Sequence, residues 1–166
     1  MQTVQIAPLP PGALLEGYAK GDAYTDCYVV ELAHPASLEE FVVAFYTTPL
    51  FKLERWILSK MLGFTSTDNG ARELAQGKVE VFSAWRVEAR ESGQIVLAAG
   101  RTRSWLMATP QSDTPAAGAR LFFGSAVVPR KRGGFGWQFS TLLGFHKLYS
   151  RALLAAAARR LAKHKS

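Results

Sequence analysis

A single cysteine, Cys27, rules out an internal disulfide framework, and three scattered histidines, His34, His146 and His164, offer no His-x-x-x-His or Glu-x-x-His pairing for a metal. No apolar run reaches the roughly 18 residues that a spanning helix needs, and the stretch Leu153 to Ala158 ends at Arg159 and Arg160. The opening Met1-Gln-Thr-Val-Gln-Ile6 has neither the basic nor the apolar stretch of a secretory signal, so a reducing cytoplasm is the expected address. Acidic residues are absent from 114–166, which carries 10 Lys/Arg, whereas 1–113 carries 10 Lys/Arg and all 13 Asp/Glu. The net charge of +7 therefore sits entirely in the C-terminal part. That asymmetry suits either an anionic partner or a solvent-facing helix whose cations complement its macrodipole. The basic tail lacks the aromatic interleaving of a nucleic-acid surface, and no specific nucleic acid is expected as a partner.

What is present suffices for one domain. At 18.2 kDa and 48% hydrophobic residues the chain can bury a core without metal or disulfide staples. Residues 1–22, with Pro8, Pro10, Pro11, Gly12, Gly17 and Gly21, read as an extended arm, and the ordered domain is expected over 23–166. Ala23 to Leu32 is rich in β-branched and aromatic residues and stops at His34-Pro35, so it reads as a strand. Ser37-Leu-Glu-Glu40 is a capping box opening a short helix, and Thr48-Pro49 opens a second with an apolar stripe of Leu50, Leu53, Ile57 and Met61.

Lys78 to Arg90 alternates as one half-buried strand, with Val79, Val81, Ser83, Trp85 and Val87 on one face. Glu91-Ser92-Gly93 turns it into Gln94–Gly100, and Arg101–Thr109 and Ala119–Val128 complete five strands. A further strand over Gly70–Gly77 is left open. No proline interrupts the chain after the glycine-rich Arg130–Gly136, so a long helix is expected from Trp137 to Lys163. The fold class is α+β: a curved antiparallel sheet, two short helices after its first strand, and a long C-terminal helix.

Candidate site residues follow from those faces. On the last helix Phe139, Leu142, Leu143, Leu153, Leu154, Ala157 and Leu161 share one side, with His146 in its middle and Tyr149 and Ser150 beside it. His146, Tyr149 and Ser150 could orient the polar group of an apolar ligand, or be satisfied core residues. Trp85, Trp105, Met107 and Phe123 are expected to face inward, as pocket lining or as plain core. Arg101 and Arg103 share the parity of Trp105. An inward Arg103 needs either a ligand anion or a carboxylate such as Glu80 or Glu88. Gly124-Ser125 lacks the surroundings of a nucleophile elbow, Gly133-Gly134-Phe135-Gly136 fits no phosphate-binding fingerprint, and Cys27 within an apolar strand is expected to be inert.

The element order, together with Ala23-Tyr-Thr-Asp-Cys-Tyr28, Leu121-Phe-Phe-Gly-Ser-Ala-Val-Val-Pro129 and Gly144-Phe-His-Lys-Leu-Tyr-Ser-Arg-Ala-Leu-Leu154, resembles a bacterial domain group of unknown function within the START-like (SRPBCC, helix-grip) superfamily. The resemblance covers about residues 20–162. It implies a cavity between sheet and long helix for a lipid, polyketide or other apolar molecule, and it carries over no catalytic residue. Three functions compete. The first is a binding protein for a small apolar or amphipathic ligand lined by Trp85, Arg103, Trp105, Met107, Phe123, His146, Tyr149 and Ser150. The second is a cyclase or dehydratase with His146 as acid or base. The third is a basic module for an acidic partner, nucleic acid or membrane surface. No cofactor or metal is expected.

Overall fold

The computed structural model describes residues 3–62, 66–112, 118–129 and 137–164; the side chains of residues 54, 57–62, 137–146 and 164 are outside that description. The protein is α+β. Seven strands form one antiparallel sheet: β1 (Gln5–Ile6), β2 (Tyr24–Leu32), β3 (Val81–Phe82), β4 (Trp85–Glu91), β5 (Gln94–Ala99), β6 (Thr102–Pro110) and β7 (Ala119–Val127), in the order β1-β2-β7-β6-β5-β4-β3. The helices are α1 (Glu16–Ala19), α2 (Leu38–Tyr46), α3 (Pro49–Leu62), α4 (Asp68–Ala75) and α5 (Trp137–His164). Among the described residues no helix is long and apolar enough to cross a membrane.

Local chemistry accounts for several boundaries. Ser37 and Glu40 close the capping box reciprocally, Glu40 N donating to Ser37 Oγ and Ser37 N to Glu40 Oε2. Thr48 Oγ1 accepts from Phe51 N at 3.2 Å, with Pro49 as the first helical residue of α3. The Gly70–Gly77 region is helical rather than a strand: Thr67 caps it through Gly70 N, and Ala71, Leu74 and Ala75 bury one side of α4. Three helices, not two, therefore follow the first long strand. Arg90 closes the C-terminal end of α4 by donating to the carbonyls of Leu74 and Ala75, where the macrodipole favours a cation.

The expected Leu50-Leu53-Ile57-Met61 stripe of α3 is shown in part: Leu50 packs half-buried against the helix-side core, and Leu53 does not. Phe51 and Arg55 are buried and Leu53 is exposed, while Ile57 and Met61 lie outside the described side chains. Phe51 slots between Tyr46 and Trp85. Arg55 reaches inward because Ser66 Oγ, Ser66 O and Asp68 Oδ1 satisfy its guanidinium at 2.8–2.9 Å. A paired arginine is invisible to a count of apolar residues.

The expected strand Lys78–Arg90 is two strands. Phe82 and Trp85 face each other across a tight turn at Ser83-Ala84, with Ser83 at φ 55°. That turn reverses the chain, so Val81 is exposed while Phe82 and Trp85 are buried. Neither turn residue is Gly, Asn or Asp, so the usual signal for left-handed backbone is missing.

The N-terminal arm belongs to the domain. Val4 packs in the helix-side core, β1 pairs with β2 at its edge, and Ala13 and Leu15 are buried on the opposite face of the sheet. The arm thus wraps the β2 edge from one face to the other. Both sheet faces are covered, one by α2, α4 and α5 and the other by the arm.

Candidate functional site

Cross-strand register assigns paired strand residues to a face, because directly opposed residues point the same way. Tyr28, Phe123, Leu106 and Ile95 form one row on the helix-facing side. Gly124 and Trp105 pair in a row that faces the arm, with Cys27 and Val96 beside them. The expected eight-residue site is therefore divided. Trp85 and Phe123, and Tyr149 and Ser150 of α5, belong to the helix side. Trp105, Met107 and Arg103 lie on the other side, beneath or beside the arm. The His146 side chain lies outside the described residues.

Among the described residues several members of that set are packed against other side chains. Phe123 stacks on Phe45 with centroids 4.9 Å apart, Phe51 meets Trp85 at 5.1 Å, and Tyr46 meets Phe51 edge-on at 4.7 Å. Side chains fill the sheet side beneath α2 and α4. On the arm side Trp105 is fully buried and donates Nε1–H to Gln94 Oε1 at 2.9 Å. The same oxygen accepts from Leu14 N, and Gln94 Nε2 donates to Gly12 O, so one buried amide pins both the tryptophan and the arm. Gly124 makes room for this: a Cβ there would meet Trp105 Cε3 and Asp26 O at 2.9 Å and Leu15 Cδ2 at 3.0 Å. Arg103 pairs with Glu88 at 2.6 Å and donates Nε–H to Tyr18 Oη, whose own proton goes to Glu88. Its anion is thus Glu88, and Arg101 is spent on the carbonyl of Val128.

A further set of ionisable groups converges at the start of β2. Asp26 sits opposite Ser125, which sits opposite Ser104, three polar residues in one row across adjacent strands. Asp26 Oδ1 accepts from Ser125 N at 3.0 Å and from Ser125 Oγ at 2.6 Å. Its Oδ2 accepts from Tyr24 Oη at 3.3 Å and Tyr28 Oη at 3.5 Å. Above them on α5, Lys147 Nζ stands 6.0 Å from the Tyr24 ring centroid, and the Arg151 charge acts on Tyr28.

Burial, reinforced by the Asp26 charge, raises the Tyr24 phenol above its ordinary range and pushes Tyr28 up to about 12. The same two causes push the Cys27 thiol up to about 12. At neutral pH both phenols are donors rather than bases, and Cys27 is no nucleophile. Ser125 Oγ hands its proton to a carboxylate, with no imidazole described beside it. The cluster can orient a polar group; it shows no activated attacking atom.

Beside this network, at the β2 edge beyond the end of β1, is a cleft of about 490 Å³. Ile6, Ala7, Pro8, Leu9 and Ala19 of the arm give it an apolar wall, and Tyr24, Asp26, Tyr28 and Lys147 a polar one. A second cleft, about 640 Å³, lies between α2, α4 and the end of α5 and includes Glu39, Glu40, Arg72 and Arg160. Its polar groups serve helix ends: Glu40 completes the capping box, and Arg160 donates to the Thr47 carbonyl at 2.8 Å. The first cleft is therefore the stronger candidate. Tyr24, Asp26, Tyr28, Ser125 and Lys147 were not among the expected site residues. Their signal was available in the alternation of β2, where an acid, Asp26, shares parity with Tyr28, Val30 and Leu32.

Comparison of the chain with protein-family models and with curated proteins finds no match.

Proposed function

We propose that the protein binds a small amphipathic molecule in the cleft at the β2 edge, with its apolar body along Ile6, Ala7, Pro8 and Leu9 and its polar end at Tyr24, Asp26, Tyr28 and Lys147. The observation that carries this reading is the meeting of an apolar wall with hydrogen-bonded ionisable groups in one concavity of about 490 Å³, within the usual range of small-molecule sites. The element order also supports a helix-grip assignment: strand, helices, antiparallel meander, long helix. On this reading the ligand site lies at the rim of the sheet, because aromatic rings occupy the space beneath α2 and α4.

Native mass spectrometry against the denatured mass, followed by titration of purified protein with the amphipathic probe 1-anilinonaphthalene-8-sulfonate, tests it. A co-purifying small molecule, or saturable probe fluorescence lost in Ala19→Trp, which fills the cleft from an exposed wall position, is the expected result. A clean apo mass together with probe binding indifferent to Ala19→Trp would reject the cleft as the site.

A further inference from the structure

The buried and exposed sides of α5 separate sharply. Ser150, Leu153, Leu154, Ala157, Ala158 and Leu161 are buried, whereas Lys147, Leu148, Arg151, Arg159 and Lys163 are exposed. At 1.5 Å rise per residue the exposed cations extend over about 24 Å. Five ion pairs occur among the described residues, and each of their cations, Lys20, Lys52, Arg55, Arg103 and Arg120, lies outside α5. The chain supplies no acidic residue at all over 114–166. The α5 stripe is thus uncompensated along its own helix, and its nearest end, Lys147, is at the cleft.

Two large apolar side chains stand at that same end. Ile6, in the cleft wall, is 76% exposed, and Leu148, next to Lys147, is 69% exposed. Neither contributes to either core cluster. Each would gain by entering an apolar phase beside cations that meet negative charge.

We propose that the exposed side of α5, with Ile6 and Leu148 at its cleft end, is a docking surface for an anionic lipid bilayer. Lys147, Arg151, Arg159 and Lys163 meet the headgroup phosphates, and the two aliphatic side chains enter the acyl boundary. Bases would stack on aromatic rings, and the exposed residues of α5 among those described include none; aliphatic tips beside cations fit a bilayer better. This surface stands on charge and exposure and does not depend on the ligand reading of the cleft.

Flotation of the full chain with vesicles tests it, comparing pure phosphatidylcholine with vesicles containing one third phosphatidylglycerol. Partition should favour the anionic vesicles by more than tenfold in about 0.1 M salt and vanish near about 1 M, where the screening length drops to ~3 Å. Replacing both Arg159 and Lys163 by Gln, at exposed positions that leave the core untouched, should cut anionic partition roughly 25-fold, about fivefold per charge. Ile6→Gln with Leu148→Gln should weaken partition into the anionic vesicles in about 0.1 M salt, where the charges are intact. Equal partition into both vesicle types would overturn the proposal, as would indifference to the Gln variants. Salt-sensitive binding to a DNA duplex with no vesicle binding would overturn it in favour of nucleic acid. Probe titration of the cleft in the Arg159→Gln/Lys163→Gln variant separates the two readings, since cleft binding should persist there.

Discussion

The two faces of the sheet solve burial in different ways. On the helix side, rings from α2, α3, β3, β4 and β7 pack on one another, and order comes from shape: Phe45 on Phe123, Phe51 between Tyr46 and Trp85. On the arm side Trp105 packs beside Phe122, Leu15 and Val96 and is held by Gln94, whose amide meets Leu14, Gly12 and the indole. A helix satisfies its own backbone and needs only an apolar side to dock. An arm with little regular structure brings unpaired peptide groups to the sheet, so a buried side chain must receive them. On the arm side that role falls to Gln94.

The largest effects should come from the anchor of each face. Trp105→Ala and Phe45→Ala should each cost about 3–5 kcal/mol in urea unfolding, and the double variant should lose their sum, because the side chains lie on opposite sides of the sheet. A departure from additivity beyond about 0.5 kcal/mol would show that the two cores are energetically coupled through the sheet. Gln94→Ala should follow at about 2–4 kcal/mol, since it strands the buried Trp105 indole and Leu14 amide donors. Faster amide exchange in residues 7–18 should accompany that loss, and exchange confined to α2 instead would contradict the clamp.

Alkaline titration bears on the cluster at the boundary of the two faces. Tyr24, Tyr28 and Cys27 hold their protons more tightly folded than unfolded. For Cys27 and Tyr28 that contribution is complete below the ordinary values of 9.0 for the thiol and 10.0 for the phenol and is lost as pH rises through about 12, and Tyr24, raised in the same direction, adds to the same alkaline limb. Circular dichroism at fixed urea should show stability falling above pH 10, with Tyr24→Phe/Tyr28→Phe making that limb shallower. The smallest effect should be a gain. Ser150 Oγ is buried without a hydrogen-bond partner among the described residues, so Ser150→Ala should stabilise the apo protein by about 1 kcal/mol. A loss of stability would reveal a partner for that hydroxyl.

Much of this was legible in advance where the signal is local. The capping box at Ser37 and Glu40, the Thr48-Pro49 start, the strand from Tyr24 and the helix from Trp137 follow from short-range chemistry, and the structure shows all four. The Ser83 turn was hidden because no glycine or asparagine marks it, and α4 because Asp68 to Ala75 carries only three buried residues. The arm misled for a different reason: proline and glycine oppose regular structure, but they do not oppose packing, and Leu15 is fully buried.

The amino-acid sequence by itself determined the α+β class, the periods of most elements, the uncompensated charge of residues 114–166 and the helical ends. Only the tertiary structure decided which side of each strand meets helices and which meets the arm. The reason is physical: alternation has period two, and in a sheet covered on both faces Trp105 and Leu106 are equally apolar and equally buried. Parity then says that neighbours point apart without saying where either points. That choice, made by pairing between residues far apart in the chain, sends Arg103 to Glu88, Trp105 to Gln94, and Asp26 to the edge where a cleft opens.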